Sequence, residues 1–169
     1  RMAVVGDPLK ERTTVGPMAR VDLRDELHRQ VLESVNAGAK CLLGGTIPEG
    51  RGAYYPTTVL TDVTPGMAAH DEELFGPVAA IVPADDEAQA IEFANRSKFG
   101  LGAAVFTSDV EKGERIARDQ LDAGCCAVND FVRSDPRLPF GGIKTSGFGR
   151  ELGRAGILEL VNTKTIVVG

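Results

Sequence analysis

An α/β fold is what the sequence predicts, and two patterns carry that prediction. Three segments are apolar almost throughout, as is typical of strands buried on both faces of a sheet. They are residues 78–82 (VAAIV), 101–107 (LGAAVFT) and 125–129 (CCAVN). Helical patterns of roughly a dozen residues separate them. This alternation favours a parallel sheet covered by helices on both faces.

The first third of the chain predicts one helix followed by two extended segments. A helix is expected over residues 22–37, with Asp22 as a candidate N-cap and Gly38 as the stop. Its apolar face repeats every four residues, at Leu23, Leu27, Val31 and Val35. After it, KCLLGG predicts a short buried strand, and residues 54–63 predict extended chain.

The middle of the chain predicts two further helices between the apolar strands. Residues 85–95 form the first, with Ile91 and Ala94 facing inward. The second begins at a predicted capping box, in which Ser108 is the N-cap and Glu111 reaches back. We expect it to run to about residue 122, before Gly124.

A last helix is predicted over residues 150–160, followed by a strand over 162–168 (NTKTIVV). This strand alternates polar and apolar residues and would pair at a sheet edge, its own or a neighbour's. Between the CCAVN strand and the last helix lies a segment of about twenty residues, 130–149, and a loop of that length is usually functional.

Composition excludes several classes of protein. The chain has 169 residues, enough for one domain, and a net charge of −5 without a basic block, so we expect no nucleic-acid partner. No stretch is long and apolar enough for a membrane span. Three cysteines without ligand spacing predict neither a disulfide framework nor a metal site, and a cytoplasmic protein is expected.

The glycine-rich stretch PFGGIKTSGFGRE, residues 139–151, fits neither common phosphate-binding motif. A phosphate loop needs glycine immediately before its lysine, but Ile143 precedes Lys144. A GxGxxG fingerprint starting at Gly147 would need glycine at Leu152. A tight surface loop is the alternative for an isolated segment of this kind.

Several segments together resemble the aldehyde dehydrogenase family. They are 139–151 (PFGGIKTSGFGRE), 72–77 (EELFGP), 95–107, 124–129 and GDPLKERTTVGPM near the start. The resemblance covers the whole chain and implies the last third of such an enzyme. Residues 1–160 would be the C-terminal portion of its three-layer, parallel-sheet catalytic domain, and 161–169 a strand that assembles a homo-oligomer, a dimer or tetramer. The apolar run at the start is also expected to continue upstream.

The resemblance implies oxidation of an aldehyde by a cysteine nucleophile, with NAD or NADP as hydride acceptor. The family's Gly-Gln-x-Cys motif does not occur here, so no catalytic residue is predicted in this chain. The nucleophile and a general-base glutamate are expected upstream, and this chain alone is predicted to be inactive. Cys41, Cys125 and Cys126 are interpreted as packing residues in buried strands, where burial raises a thiol pKa.

Two residues are implied to bind the cofactor. Glu73 would accept hydrogen bonds from the nicotinamide ribose hydroxyls, and Phe75 would pack beside the nicotinamide. Without the resemblance, DEELFGP would be interpreted as an acidic surface turn. Neither sequence nor resemblance chooses between NAD and NADP.

Three residues are implied to bind the substrate. Phe140 would form part of an apolar tunnel wall, and Ser134 stands where many relatives carry an aromatic residue. Arg133, with Arg137 nearby, would make a cationic entrance for an aldehyde that bears a carboxylate, or both arginines would simply face water. Lys144, Arg150 and Glu151 are expected to brace the loop by ion pairs.

The run SDPRLPFGGIKTSGFGRELG is most similar to the succinate-semialdehyde dehydrogenase branch. It predicts a fragment of an enzyme that converts succinate semialdehyde to succinate. Two alternatives stay open: a non-catalytic assembly or binding module, and a dehydrogenase for a different small-molecule aldehyde.

Overall fold

Five helices and seven strands alternate along residues 3–169, the part of the chain that the computed structural model describes. The chain divides into two units, Arg1–Asp85 and Asp86–Gly169. The alternation confirms the α/β class. The expected single parallel sheet is wrong for this chain, because its strands form three small sheets with parallel and antiparallel pairs.

The first unit forms a mixed sheet flanked by helices. Its elements are α1 (Val21–Asn36), β1 (Lys40–Leu43), β2 (Thr58–Thr61), α2 (Ala68–Asp71) and β3 (Val78–Ala80). β1 is antiparallel to β2, whereas β2 and β3, with α2 between them in the chain, are parallel. β1 is one of the two edge strands and all four of its residues are exposed, so the predicted burial of KCLLGG was wrong.

Helix α1 packs its apolar face into the core of this unit. Leu27 and Val31 are each 1% exposed and Leu23 is half-buried, as the four-residue repeat predicted, but Val35 is exposed although it belongs to the same repeat. The predicted N-cap was wrong: the structure places Arg20 in that position, and its guanidinium binds the carboxylate of Asp22 at 2.6 Å. Asp22 is already inside the helix, where its side chain engages an arginine instead of a free backbone N–H.

Tyr55 is the largest side chain that is fully buried in this core. Its hydroxyl lies 3.1 Å from Nδ1 of His28 on α1, and the two rings meet edge to face. Burial raises the pKa of Tyr55 to about 12, so the hydroxyl stays protonated at physiological pH. The hydroxyl can therefore donate a hydrogen bond to the histidine ring.

The second unit contains a parallel strand pair and a short antiparallel pair. Its elements are α3 (Glu87–Arg96), β4 (Phe99–Gly100), β5 (Gly102–Val105), α4 (Val110–Asp119), β6 (Cys125–Val128), β7 (Ile143–Lys144) and α5 (Gly153–Glu159). β5, α4 and β6 form a β–α–β unit with parallel strands, as predicted. α4 lies close to them at Gly113, where an added Cβ would be 2.8 Å from side-chain carbons of Thr107 and Val128.

The helices of the second unit differ from the predictions at their ends. Asp109, not Ser108, caps α4: its carboxylate accepts the backbone N–H of Lys112 at 2.9 Å. Asp109 is the residue directly before the first helical residue and has extended backbone, and its own N–H donates to the Thr107 hydroxyl at 3.1 Å. α4 ends at Asp119, about three residues before the predicted end, and Ala94 of α3 is exposed where it was expected to face inward.

The glycines of residues 139–151 allow backbone to approach backbone. A Cβ added at Gly124 would lie 1.9 Å from the carbonyl oxygen of Gly141, and one at Gly142 would lie 2.6 Å from the Ser146 side chain. The glycine-rich segment therefore packs directly against the start of β6. Within it, β7 pairs with β4, a strand that the sequence did not reveal because it has only two residues.

The bracing side chains of this segment bind carbonyl groups instead of forming the predicted ion pairs. Lys144 Nζ donates to the carbonyl oxygen of Asn95 at 2.7 Å and to that of Ser97 at 3.2 Å, at the C-terminal end of α3. Arg150 donates to the carbonyl of Gly142 at 2.9 Å. Glu151 contributes through its backbone, which exchanges two hydrogen bonds with Phe140.

The predicted terminal strand does not form within this chain. No strand is assigned in residues 162–168, and Ile166, Val167 and Val168 are at least 76% exposed. A β-strand needs a partner edge, so pairing with a second subunit stays a prediction. None of the helices in residues 3–169 has the length and apolar character that crossing a membrane requires.

The cap of α4 yields a stability prediction. Replacing Asp109 with alanine removes the acceptor for the Lys112 N–H and should lower the free energy of unfolding of the chain by about 1 kcal/mol. Ser108→Ala is the matched control and should change it by less than about 0.5 kcal/mol. Urea unfolding followed by circular dichroism measures both, and a larger loss for Ser108→Ala would restore the capping box predicted from sequence.

Candidate functional site

Glu73 lies on the exposed segment between α2 and β3. Its carboxylate takes part in no hydrogen bond or ion pair within residues 3–169, so both oxygens are available as acceptors. Its backbone is fixed, because the carbonyl oxygen accepts a hydrogen bond from Gln30 Nε2 of α1 at 3.2 Å. The structure thus combines a held backbone with a free acid group.

Phe75 lies two residues further on and its side chain is 70% exposed. It borders an apolar cavity of about 340 Å³, lined by Met18, Ala19, Leu23, Leu74, Phe75 and Gly76. The segment lies tightly against α1 at Gly76, where an added Cβ would be 2.4 Å from Leu27 Cδ2. An exposed aromatic ring near a free carboxylate suits a ligand with both a planar ring and hydroxyl groups.

The loop that follows β6 carries the predicted substrate residues. Arg133 is exposed, and its guanidinium binds the carboxylate of Asp130 at 2.6 Å. Arg137 binds Asp135 in the same way, at 2.6 Å. The two pairs balance the charge of both arginines, so an anionic ligand would have to compete with Asp130 and Asp135 for them, and the cationic entrance stays a prediction. Sequence reasoning missed Asp130, although its spacing of three residues from Arg133 allows an ion pair.

A cavity of about 610 Å³ lies beside this loop. Phe140 and Arg133 both line it, together with Cys125, Cys126 and Phe131. Phe131 also packs against Phe106, with 5.5 Å between the ring centroids. Ser134 is on the same loop but is not among the residues that line the cavity. The structure therefore brings Phe140 and Arg133 together and leaves Ser134 outside their cavity.

The three cysteines have different surroundings. Cys125 is half-buried and its Sγ lies 3.8 Å from the carbonyl oxygen of Gly141. Cys41 and Cys126 are exposed, so their predicted burial was wrong. Cys41 lies on the edge strand β1, and Cys126 points to the opposite face of β6 from Cys125. Partial burial still raises the pKa of the Cys126 thiol, with the neighbouring Cys125 adding to it.

The predicted site residues belong to different units of the chain, Glu73 and Phe75 to the first and Arg133, Ser134 and Phe140 to the second. Within residues 3–169, no group of three or more His, Cys, Asp or Glu side chains is placed to hold a metal ion.

Comparison with known proteins decides the family. The sequence model described as "Aldehyde dehydrogenase family" matches residues 1–166. The chain belongs to the aldehyde dehydrogenase family. Among curated relatives, the succinate semialdehyde dehydrogenase [NAD(P)+] Sad of Escherichia coli (strain K12) is 51% identical over 162 residues, covering 96% of the chain and 35% of the relative. A probable succinate-semialdehyde dehydrogenase [NADP(+)] of Synechocystis is 47% identical, with 96% and 36% covered.

Solved aldehyde dehydrogenases share the fold. A succinic semialdehyde dehydrogenase of Streptococcus pyogenes in complex with NADP+ superposes with a TM-score of 0.94 at 34% identity, covering 98% of this chain and 36% of that one. An aldehyde dehydrogenase of Mycobacterium tuberculosis with NAD+ gives 0.87 at 38% identity, with 93% and 32% covered. The chain spans about a third of the length of these relatives. The resemblance to the family is confirmed, and the relatives use NAD or NADP as predicted.

The raised pKa of Cys126 yields a prediction about reactivity. At a given pH, less of this thiol is the reactive thiolate than in an unperturbed cysteine. Alkylation by iodoacetamide, followed residue by residue with mass spectrometry across pH, should therefore have a higher midpoint for Cys126 than for N-acetylcysteine. The urea-unfolded chain is the control and should match N-acetylcysteine. A midpoint below that of N-acetylcysteine would indicate an activated nucleophile in this chain.

Proposed function

We propose that this dehydrogenase chain is the C-terminal portion of an NAD(P)-dependent enzyme that oxidises succinate semialdehyde to succinate. The observation that carries the proposal is its 51% identity to Sad of Escherichia coli over 162 residues, with further succinate-semialdehyde dehydrogenases at 46–47%. Residues 1–160 would belong to the catalytic domain. The nucleophilic cysteine and the general-base glutamate would come from the part of the enzyme that precedes these residues.

We assign the cofactor contact to Glu73 and Phe75. When bound, the nicotinamide supplies a hydride acceptor. The two unpaired oxygens of the Glu73 carboxylate suit two neighbouring ribose hydroxyls, each of which donates one hydrogen bond. The exposed Phe75 ring would cover a flat apolar face and limit its movement. The free carboxylate and the exposed ring together support this assignment.

We assign the substrate contact to Phe140 and Arg133, which line one cavity, and to Ser134, which lies on the same loop outside that cavity. Phe140 would form the apolar wall, and the Ser134 hydroxyl would donate a hydrogen bond to the distal carboxylate of the aldehyde. The Arg133–Asp130 pair is solvent-exposed, and such pairs are weak. A substrate carboxylate can therefore exchange with Asp130 for the guanidinium at small cost. This exchange would admit an anionic aldehyde despite the balanced charge of the loop.

A second aldehyde is favoured by one observation. A betaine aldehyde dehydrogenase of Rhizobium meliloti is 42% identical over 169 residues. Betaine aldehyde carries a cation where succinate semialdehyde carries a carboxylate. The two candidates therefore make opposite demands on Arg133, and the guanidinium favours the anionic substrate.

The terminal segment 161–169 is proposed to join subunits into a dimer or tetramer. Its apolar residues Ile166, Val167 and Val168 are exposed, and its backbone pairs with no strand within residues 3–169. A segment of this kind can complete its hydrogen bonds by adding as a strand to the sheet edge of another chain.

A chimera tests the proposed function. When this chain replaces the matching third of Sad from Escherichia coli, the product should oxidise succinate semialdehyde with NAD or NADP, within about tenfold of the kcat/KM of Sad itself. The 169-residue chain alone should show no turnover, because it lacks the proposed nucleophile. A folded chimera without activity, or turnover by the isolated chain, would contradict the proposal.

The same chimera separates the two aldehydes. Its kcat/KM for succinate semialdehyde should exceed that for betaine aldehyde, and Ser134→Phe should reduce the first by roughly tenfold through loss of a hydrogen bond to a charged group. Butanal, an uncharged aldehyde of equal chain length, is the control and should lose less. Preference for betaine aldehyde would support the second candidate.

A further inference from the structure

The segment that carries Glu73 is attached to α1 by buried polar side chains. Gln30 is 6% exposed, and its amide Nε2 donates to the Glu72 carboxylate at 2.8 Å and to the Glu73 carbonyl oxygen at 3.2 Å. One turn further along α1, Ser34 is fully buried, and its Oγ accepts the backbone N–H of Ala69 at 2.8 Å. These contacts join residues more than thirty positions apart in the sequence.

Of Gln30 and Ser34, only Gln30 forms a hydrogen bond with Glu73 itself. Its single NH₂ group satisfies both the side chain of Glu72 and the backbone of Glu73, so it fixes where the Glu73 Cα lies and where its side chain starts. Arg29 adds only a longer contact to Glu72, at 3.5 Å. A buried amide whose two hydrogens meet two acceptors has little freedom to move.

We infer that Gln30 is a positioning residue for the cofactor carboxylate, and that it sets the affinity for NAD(P) without touching the cofactor. This inference rests on the proposed role of Glu73. A free carboxylate on a held backbone binds a diol more tightly than one on a mobile loop, because the cost of ordering the loop has already been met. Gln30, on α1, orders the backbone at Glu73 through its hydrogen bond to the carbonyl oxygen.

The test uses the chimera with Sad and two substitutions at one position. Gln30→Glu replaces the NH₂ donor with an oxygen that repels both the Glu72 carboxylate and the Glu73 carbonyl. Gln30→Met keeps the length and removes the donor without adding charge. Dissociation constants for NADH and NADPH, measured by nicotinamide fluorescence, should rise about tenfold for Gln30→Glu and about threefold for Gln30→Met. With saturating cofactor, kcat and the KM for the aldehyde should change less than twofold.

Two further variants separate positioning from general stability. In Gln30→Glu combined with Glu72→Gln, the new amide at position 72 can donate to the carboxylate at position 30, but no donor reaches the Glu73 carbonyl oxygen. The cofactor dissociation constant should therefore return only to the level of Gln30→Met, about threefold above that of the unsubstituted chimera. Gln120→Glu makes the same chemical change at an exposed position of the second unit and should leave the affinity within twofold. Melting temperatures are recorded for all variants. If Gln30→Glu does not fold, Gln30→Met carries the test.

The outcomes are distinguishable from failure of the proposed function. Glu73→Ala must raise the cofactor dissociation constant; if it does not, the proposed cofactor role of Glu73 and this inference both fail, whereas the proposed activity fails only if the unsubstituted chimera folds without turning over succinate semialdehyde. If Glu73→Ala raises it while both Gln30 variants leave it within twofold, Gln30 is not a positioning residue. A lowered melting temperature of the Gln30 variants with unchanged cofactor affinity would likewise show that Gln30 only stabilises the fold.

Discussion

The contact between one face of α1 and the segment 69–76 is the constraint on which the first unit depends. Leu27, Gln30 and Ser34 lie on successive turns of this helix and are all buried. Leu27 leaves no room for a side chain at Gly76, while the two polar residues hold the backbone at Ala69 and Glu73. Leu74 packs against the apolar core, whereas the side chains of Glu73 and Phe75 are exposed, so the polar contacts of α1 add to the apolar ones in holding the backbone beside these two residues. The buried polar residues of α1, Gln30 and Ser34, therefore hold the backbone of the segment that carries the exposed side chains of Glu73 and Phe75.

In the second unit a segment is also held in place, but by close packing of glycine backbones instead of by buried polar side chains. Its glycine-rich segment, residues 139–151, lies on the start of β6 because Gly124, Gly141 and Gly142 have no side chains to keep the backbones apart. Lys144 and Arg150 then bind carbonyl groups that close backbone packing would otherwise leave without partners. Phe140 and Arg133 reach their common cavity from this framework. The glycines serve packing in this chain, in agreement with the failure of both phosphate motifs.

The regular elements could be predicted from local patterns, whereas the contacts of the site could not. The repeat of Leu27 and Val31 predicts α1, and the apolar run CCAVN predicts β6, because each pattern is contained within a few neighbouring residues. The mixed sheets were missed because strand direction depends on the connections, and β1 was expected to be buried although it forms an edge. Gln30 gave no signal, since a glutamine on a helix is ordinarily exposed and its partners lie more than forty positions away. The family resemblance, and no local pattern, points to Glu73 and Phe140 as site residues, which stays a prediction. The pairing of Arg133 with Asp130 was seen only in the structure.

Amide hydrogen exchange at Ala69 tests most directly whether α1 restrains the backbone of the segment 69–76. Ala69 is the second residue of α2, so its N–H has no partner within that helix and depends on the Ser34 hydroxyl. We predict that this amide is protected in the unsubstituted chain. Ser34→Ala should then accelerate its exchange by at least about tenfold while the amides of β6 are unaffected. Free exchange at Ala69 in the unsubstituted chain, or exchange that Ser34→Ala leaves unchanged, would contradict the proposed hold of α1 on the segment.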